Sequence, residues 1–265
     1  MTRATGGRSL IIGALAAVLW VPSTLPACAE RLVASLSSHI VQITSSFTGV
    51  ELVLFGTVEN DEATLPHQGS YDVVATVIGP RQTLVTRRKE RMFGIWVNAE
   101  SRSFVEVPSY LQVLATRPFN DFADADTLRR QRIGIANTSL PQQIGPDLAD
   151  VVPNDPFRQA FVRIKRDRDL YGELTNGVTF LTPTLYRASI LVPAEAPIGN
   201  YEVDVKLFAD GAMIARTSSA FEIDTIGFER FIAGAAIDHG LLYGLATAAM
   251  ALMTGWFASI VFRRD

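Results

Sequence analysis

Hydrophobic and polar positions alternate in short runs through most of the chain. Residues 40–43 (IVQI), 50–55 (VELVLF) and 71–78 (YDVVATVI) are rich in β-branched and aromatic side chains. Turn material separates them at Thr48-Gly49, Asn60-Asp61 and Gln68-Gly69-Ser70, and Gly79-Pro80 stops the third run. Residues 82–85, 94–98, 103–107 and 110–115 continue the series. Strands this short at this spacing predict a mainly β region, an antiparallel sandwich of the immunoglobulin type.

The pattern changes after Arg117-Pro118. Residues 121–134 read as a helix, with Leu128, Ile133 and Ile135 as its apolar contacts. Residues 137–156 hold four prolines and little hydrophobic pattern, which predicts a loop or linker. Asn154 or Asp155 then caps a second helix, with Pro156 in its first turn. Phe157, Ala160, Phe161, Ile164 and Tyr171 give that helix one packed face. Strand pattern returns at 178–181, 185–192, 201–208, 213–216 and 220–223, with a hairpin turn at Ala209-Asp210-Gly211. The expected division is a β lobe over 30–117, a helical insertion and linker over 118–177, and a second β lobe over 178–225. A single composite sandwich remains open on the same pattern.

Long apolar segments occupy both ends. Residues 241–262 carry no charged side chain and are followed by Arg263-Arg264-Asp265. About 22 residues at 1.5 Å each give roughly 33 Å of helix, enough to cross a hydrocarbon core of about 30 Å. Phe228, Phe231 and Ile232 precede this span in a stretch, 226–240, that reads as a membrane-proximal helix. At the other end, Arg3 and Arg8 lead an apolar run over 10–21, and Ala27-Cys28-Ala29 supplies an A-x-A site. Residues 1–29 are thus expected to be a cleaved signal peptide; an uncleaved anchor and a lipidated Cys28 are the competing readings. The signal exports the chain, and Arg263 and Arg264 stop it with a three-residue cytoplasmic tail, 263–265. The expected location is a bacterial inner membrane, single-pass, with the bulk of the chain in the periplasm.

Charge and composition narrow the chemistry. A net charge of −3 gives no electrostatic case for a nucleic-acid partner. Cys28 is the only cysteine, so a mature chain starting at Glu30 has neither a disulfide nor a thiolate metal site. No G-x-S-x-G, H-E-x-x-H, P-loop or G-x-G-x-x-G motif is present, and no catalytic residue, cofactor or metal site is expected. His39 and His67, with Asp61 or Glu62, are the nearest approach to a metal set, and surface histidines are the plainer reading.

Two constellations remain. Arg87, Lys89 and Arg91 alternate with Arg88 and Glu90, which puts the three cations on one face of a strand, a candidate site for an anion. Arg163, Lys165, Arg166 and Arg168 add a basic cluster to the second helix. In the terminal span, Gly240, Gly244, Ala248, Ala251, Gly255 and Ser259 recur at spacings of three or four, a ridge that allows close packing on another helix.

Phe47-Thr48-Gly49, Leu54-Phe55-Gly56, Arg87-Arg88-Lys89-Glu90-Arg91, Gly94-Ile95-Trp96-Val97-Asn98, Phe208-Ala209-Asp210-Gly211, Leu242-Tyr243-Gly244 and Phe262-Arg263-Arg264 resemble a family of alphaproteobacterial transmembrane proteins. The resemblance covers nearly the whole mature chain. It implies an inner-membrane protein with an exported domain and transfers no catalytic residue. The expected function is a non-enzymatic accessory protein, held in the lipid bilayer and packed through its span on a partner membrane protein. The alternative is a tethered receptor for a small anionic ligand that uses the strand 87–91.

Overall fold

Alternation builds the first sheet. Strands β1 (Arg31–Leu36), β3 (Gly49–Glu59), β12 (Leu185–Pro193) and β11 (Val178–Phe180) pair antiparallel in the order β1-β3-β12-β11. Leu52, Leu54 and Val58 on β3 and Tyr186, Ala188, Ile190 and Val192 on β12 point inward and are buried. The computed structural model describes residues 30–44, 46–59, 70–144, 147–150, 154–225 and 234–262. The expected signal peptide with Cys28, the residues Asp61, Glu62 and His67, the first part of the membrane-proximal stretch, and Arg263 and Arg264 lie outside the described residues.

The facing sheet has the order β10-β7-β4-β13-β14-β2. Its strands are β10 (Tyr171–Leu174), β7 (Leu111–Ala115), β4 (Asp72–Ile78), β13 (Gly199–Ala209), β14 (Ala212–Thr225) and β2 (Ile40–Ile43). Taken in chain order, the two sheets follow the strand order of a variable-type immunoglobulin sandwich, except that the edge strand β10 runs parallel to β7. Tyr201 completes the likeness. At the start of β13 its hydroxyl donates to Pro197 O at 2.6 Å, the tyrosine corner of such domains. Val203, two residues on, takes the place of the second cysteine and is fully buried.

The two expected lobes are one composite sandwich. β3 pairs with β12 from Gly49↔Pro193 to Thr57↔Leu185, and β4 pairs with β13 from Asp72↔Phe208 to Ile78↔Glu202. Residues 30–117 alone would leave the edges of β3 and β4 unpaired, and residues 178–225 supply the strands that close both. One buried cluster spans the interface, with Leu54, Tyr186 and Ile190 from one sheet and Val73, Val205 and Leu207 from the other.

The central strands of the second sheet are covered on both faces, which explains the continuous buried run of 72–77. The expected helix over 121–134 is shorter in the structure: α1 (Ala125–Arg130), flanked by single 3-10 turns. Asp124 caps it by accepting from Thr127 N at 2.9 Å. Phe122, Leu128 and Ile133 from this segment bury the outward side chains Val74, Val113 and Phe208. The second helix, α2 (Pro156–Arg166), is capped by Asp155, with Pro156 in its first turn. It lies in the crossover that the parallel β7–β10 pairing requires.

The expected linker, 137–156, instead contains a hairpin. β8 (Pro141–Ile144) and β9 (Asp147–Asp150) extend a third sheet of order β5-β6-β8-β9. β9 is exposed throughout, so it carries no buried-face alternation to announce it. The runs expected at 82–85, 94–98 and 103–107 merge into one long hairpin, β5 (Arg81–Met92) and β6 (Ile95–Pro108).

Gly56 is the tightest point of the first sheet. Tyr186 stands opposite it in register and leans across to β1, where its hydroxyl donates to Val33 O at 3.1 Å. A Cβ at position 56 would run into the Val33 carbonyl and the Tyr186 hydroxyl. Gly56→Ala is expected to cost about 2 kcal/mol or more in overpacking, against about 1 kcal/mol for Tyr186→Phe. A Gly56→Ala midpoint equal to that of the wild type would show that the strands move apart at no cost.

Candidate functional site

Residues 87–91 lie in the outer half of β5. Arg87, Lys89 and Arg91 face Ser101, Asn98 and Trp96 across the hairpin, none of which carries charge. The opposite face is balanced. There Arg88 lies 2.8 Å from Glu90 and 3.5 Å from Glu100. An irregularity between Arg88 and Lys89 adds its extra residue, Ala99, to β6, so alternation on β5 is unbroken. The three cations therefore share one exposed face, as the sequence pattern implies.

Helix α2 lies on the Thr86–Arg88 side of the hairpin, where Phe161 stacks on Phe104 and Arg102 sits over Phe157, and a cleft opens between it and the free edge of β5. Thr86, Arg87, Arg88 and Lys89 oppose Pro156, Phe157, Ala160, Arg163 and Ile164 around a volume of about 240 Å³. A second opening of about 270 Å³ shares Thr86, Arg87 and Ile164 and continues to Phe161, Lys165 and Leu170. Arg87, Lys89 and Arg163 pair with no carboxylate among the described residues. An apolar floor with three uncompensated cations suits a small anion. Arg91 stands apart from it, closer to the turn, with its Nε donating to Gly94 O at 3.4 Å. Arg163 is the member that alternation on β5 could not supply; only the packing of α2 beside the hairpin brings it in.

The helical basic cluster does not act as a unit. Arg166 lies 3.3 Å from Glu173 and Arg168 lies 3.8 Å from Glu195. Lys165 is buried, and its Nζ donates to Ser109 O at 2.9 Å above the rings of Phe161 and Tyr171. Burial, with a smaller push from Arg168, lowers its pKa to about 8. Ser109 is itself fully buried and offers its backbone carbonyl, so this contact holds a strand corner. His39 is likewise structural: its Nδ1 lies 2.9 Å from Ala220 O, where β2 joins β14.

The terminal helix runs Gly240–Val261, 22 residues with no part of its span buried against the domain. At about 100° per residue, the six small residues of the ridge fall within roughly a third of its circumference. A Cβ added at Gly240, Gly244 or Gly255 would meet nothing within 4 Å. Thr247 and Thr254 donate back to backbone carbonyls at 2.9 Å and 2.8 Å, which satisfies both hydroxyls in an apolar setting.

The lowered pKa of Lys165 fixes the sign of a pH effect. The unfolded chain holds that proton up to the usual lysine range near 10.5, whereas the folded chain releases it from about 8. Stability contributed by this site is therefore expected to rise as pH goes from 8 to 10. Denaturant titrations of the wild type and Lys165→Met over that window measure it. The wild type should gain on the variant, and parallel curves would mean that Lys165 is not desolvated.

No curated protein and no solved structure matches this chain. The family described as "Putative transmembrane protein (Alph_Pro_TM)" matches residues 31–264, from the first residue of β1 to the arginines after the terminal helix. The terminal helix, long and apolar enough to cross a membrane, agrees with that description, and the chain belongs to this transmembrane family.

Proposed function

We propose that the protein is a non-enzymatic accessory subunit of the bacterial inner membrane. The sandwich faces the periplasm, the C-terminus lies in the cytoplasm, and the terminal helix packs on a partner membrane protein. The observation that carries this reading is the ridge from Gly240 to Ser259, six small residues on one side of a helix that the domain leaves wholly uncovered. Apolar side chains gain nothing by leaving lipid for another helix, so close backbone approach has to supply the attraction. Small residues in register are what permit it.

A second reading rests on the β5–α2 cleft. Arg87, Lys89 and Arg163 around an apolar floor would hold a small anionic ligand by charge-assisted hydrogen bonds. The domain would then be a tethered receptor. Ligand-dependent stabilisation by inorganic phosphate that is lost in Arg163→Glu, while the ridge variants keep it, would favour this reading over the first.

Crosslinking in native membranes tests the ridge. Gly244→Leu and Gly255→Leu should each lower recovery of a crosslinked partner severalfold, while Met253→Ala on the opposite side of the helix leaves it intact. Equal recovery from all three would reduce the span to a plain tether. For orientation, a reporter active only in the periplasm should be active when fused after Thr225 and silent when fused after Asp265. The opposite pattern would invert the topology.

A further inference from the structure

Among the described residues of the folded domain, the three most exposed large apolar side chains, Phe93, Trp96 and Ile95, are gathered at one point. Met92, Phe93, Ile95 and Trp96 form the tip of the β5–β6 hairpin, and Phe93 is completely exposed while Trp96 is 68 % exposed. The turn itself adds to the oddity. Phe93 and Gly94 sit at φ 50° and 86°, the left-handed pair of a tight hairpin whose first position ordinarily holds asparagine, aspartate or glycine. A phenylalanine there carries both a conformational cost and an exposed ring. No contact within the described residues offsets either cost.

We propose that this tip inserts into the interface of the bilayer in which the protein is anchored, with the cations below it on anionic headgroups. Three observations favour lipid over another occupant. First, the face that carries Trp96 also carries Arg91, Lys89 and Arg87 with no acidic residue opposite, while Arg88, Glu90 and Glu100 neutralise the other face. An apolar, aromatic end above a one-sided basic collar matches the order of layers met on entering an anionic membrane. Second, the hairpin is rooted at the end of the sandwich from which the chain leaves for the terminal helix. Ile78, two residues before the hairpin's Pro80-Arg81 start, is level with Glu202 and Ala220, five residues before β14 ends at Thr225. Third, β6 has 14 residues, which at about 3.3 Å each span roughly 45 Å, so the tip has the reach to meet that bilayer.

The span and the tip differ in kind. The terminal helix crosses the membrane, whereas the tip has too little apolar surface to bind stably alone and relies on the tether. This inference rests on the membrane anchor and is independent of any partner helix or anionic ligand.

Trp96 is a built-in reporter. The chain has three tryptophans, and Trp20→Phe with Trp256→Phe leaves Trp96 alone. The full-length chain with those changes is reconstituted in vesicles of phosphatidylcholine, with or without phosphatidylglycerol. In the anionic vesicles Trp96 emission should shift to the blue and be quenched by doxyl-labelled lipid, with much less of both in phosphatidylcholine alone. Lys89→Gln with Arg91→Gln should lower the ratio of inserted to free tips roughly 25-fold, about fivefold for each cation removed. Phe93→Ser with Ile95→Ser should abolish the shift without changing the melting transition of the domain, because both side chains are exposed. Emission typical of water in both vesicle types would overturn the proposal, as would equal insertion with and without anionic lipid. A blue shift that follows the protein-to-lipid ratio instead of lipid charge would also overturn it, and would identify a second copy as the occupant.

Discussion

The parts of this domain that lie outside the sandwich hang from one hydrogen-bonded corner. There β4 runs into β5 and β6 runs into β7. Gly79 N donates to Tyr110 O and Ser109 N donates to Pro80 O, both at 2.9 Å, so the ladder passes through the bend without a gap. Side chains from three directions fix it. Tyr110 donates to Leu191 O on the opposite sheet at 2.6 Å, Tyr171 donates to Pro108 O at 2.6 Å, and Lys165 donates to Ser109 O at 2.9 Å. A residue larger than glycine at 79 would press on Tyr110, Ser109 and Tyr201. Desolvation raises the pKa of Tyr110 and Tyr171 well above the usual tyrosine range, which keeps both hydroxyls as donors at any physiological pH. Loosening this corner would release the long hairpin, the third sheet and the C-terminal end of α2 together.

Much of the fold was legible because burial and alternation coincide. β3 and β12 bury every second residue, and the pattern announces both. The cap at Asp155 and the turn at Asp210-Gly211 follow from local chemistry and stand where the sequence puts them. Lobe number was not legible, since which strand closes which edge is decided by pairing between residues more than a hundred positions apart. β8 and β9 escaped notice because β8 is short and buries a glutamine, while β9 is an exposed edge strand, so neither keeps an apolar period. The length of the β5–β6 hairpin was hidden for a related reason: its outer half is polar or apolar on both faces and packs on neither. The cation face of 87–91 was readable from alternation alone. Arg163 and the tip were not, because one depends on helix placement and the other on knowing that Phe93-Gly94 is a turn.

Polar groups on the outward face of the second sheet show how the insertion earns its place. Asp72, Asp204 and Lys206 lie on central strands at positions that an uncovered sheet would leave in water, yet each is buried. Each is also paired. Arg117 grips Asp72 through two hydrogen bonds of 2.7 Å and 2.6 Å, and Asp204 accepts from Arg216 at 2.6 Å and lies 2.9 Å from Lys206 Nζ. Lys206 also donates to Gln131 O, at the end of α1. Removing one partner would leave a desolvated charge, which costs more than the pair contributes, so these contacts act chiefly to fix where the α1 segment docks. That docking in turn buries Val74, Val113 and Phe208.

Attachment by one helix leaves a domain free to swing, because a single span fixes distance from the membrane and not orientation. A second contact removes that freedom at small entropic cost, since the tether already holds it near the surface at an effective concentration in the millimolar range. The contact can then be weak in itself. Four apolar side chains at a turn and three cations on one strand face suffice when diffusion has been paid for by the span, and would fail as a lone anchor. The same weakness makes the contact responsive, because it depends on headgroup charge while the span does not. On this arrangement the two membrane contacts share the work: the terminal helix sets where the protein resides, and the hairpin sets which way the cleft between β5 and α2 faces.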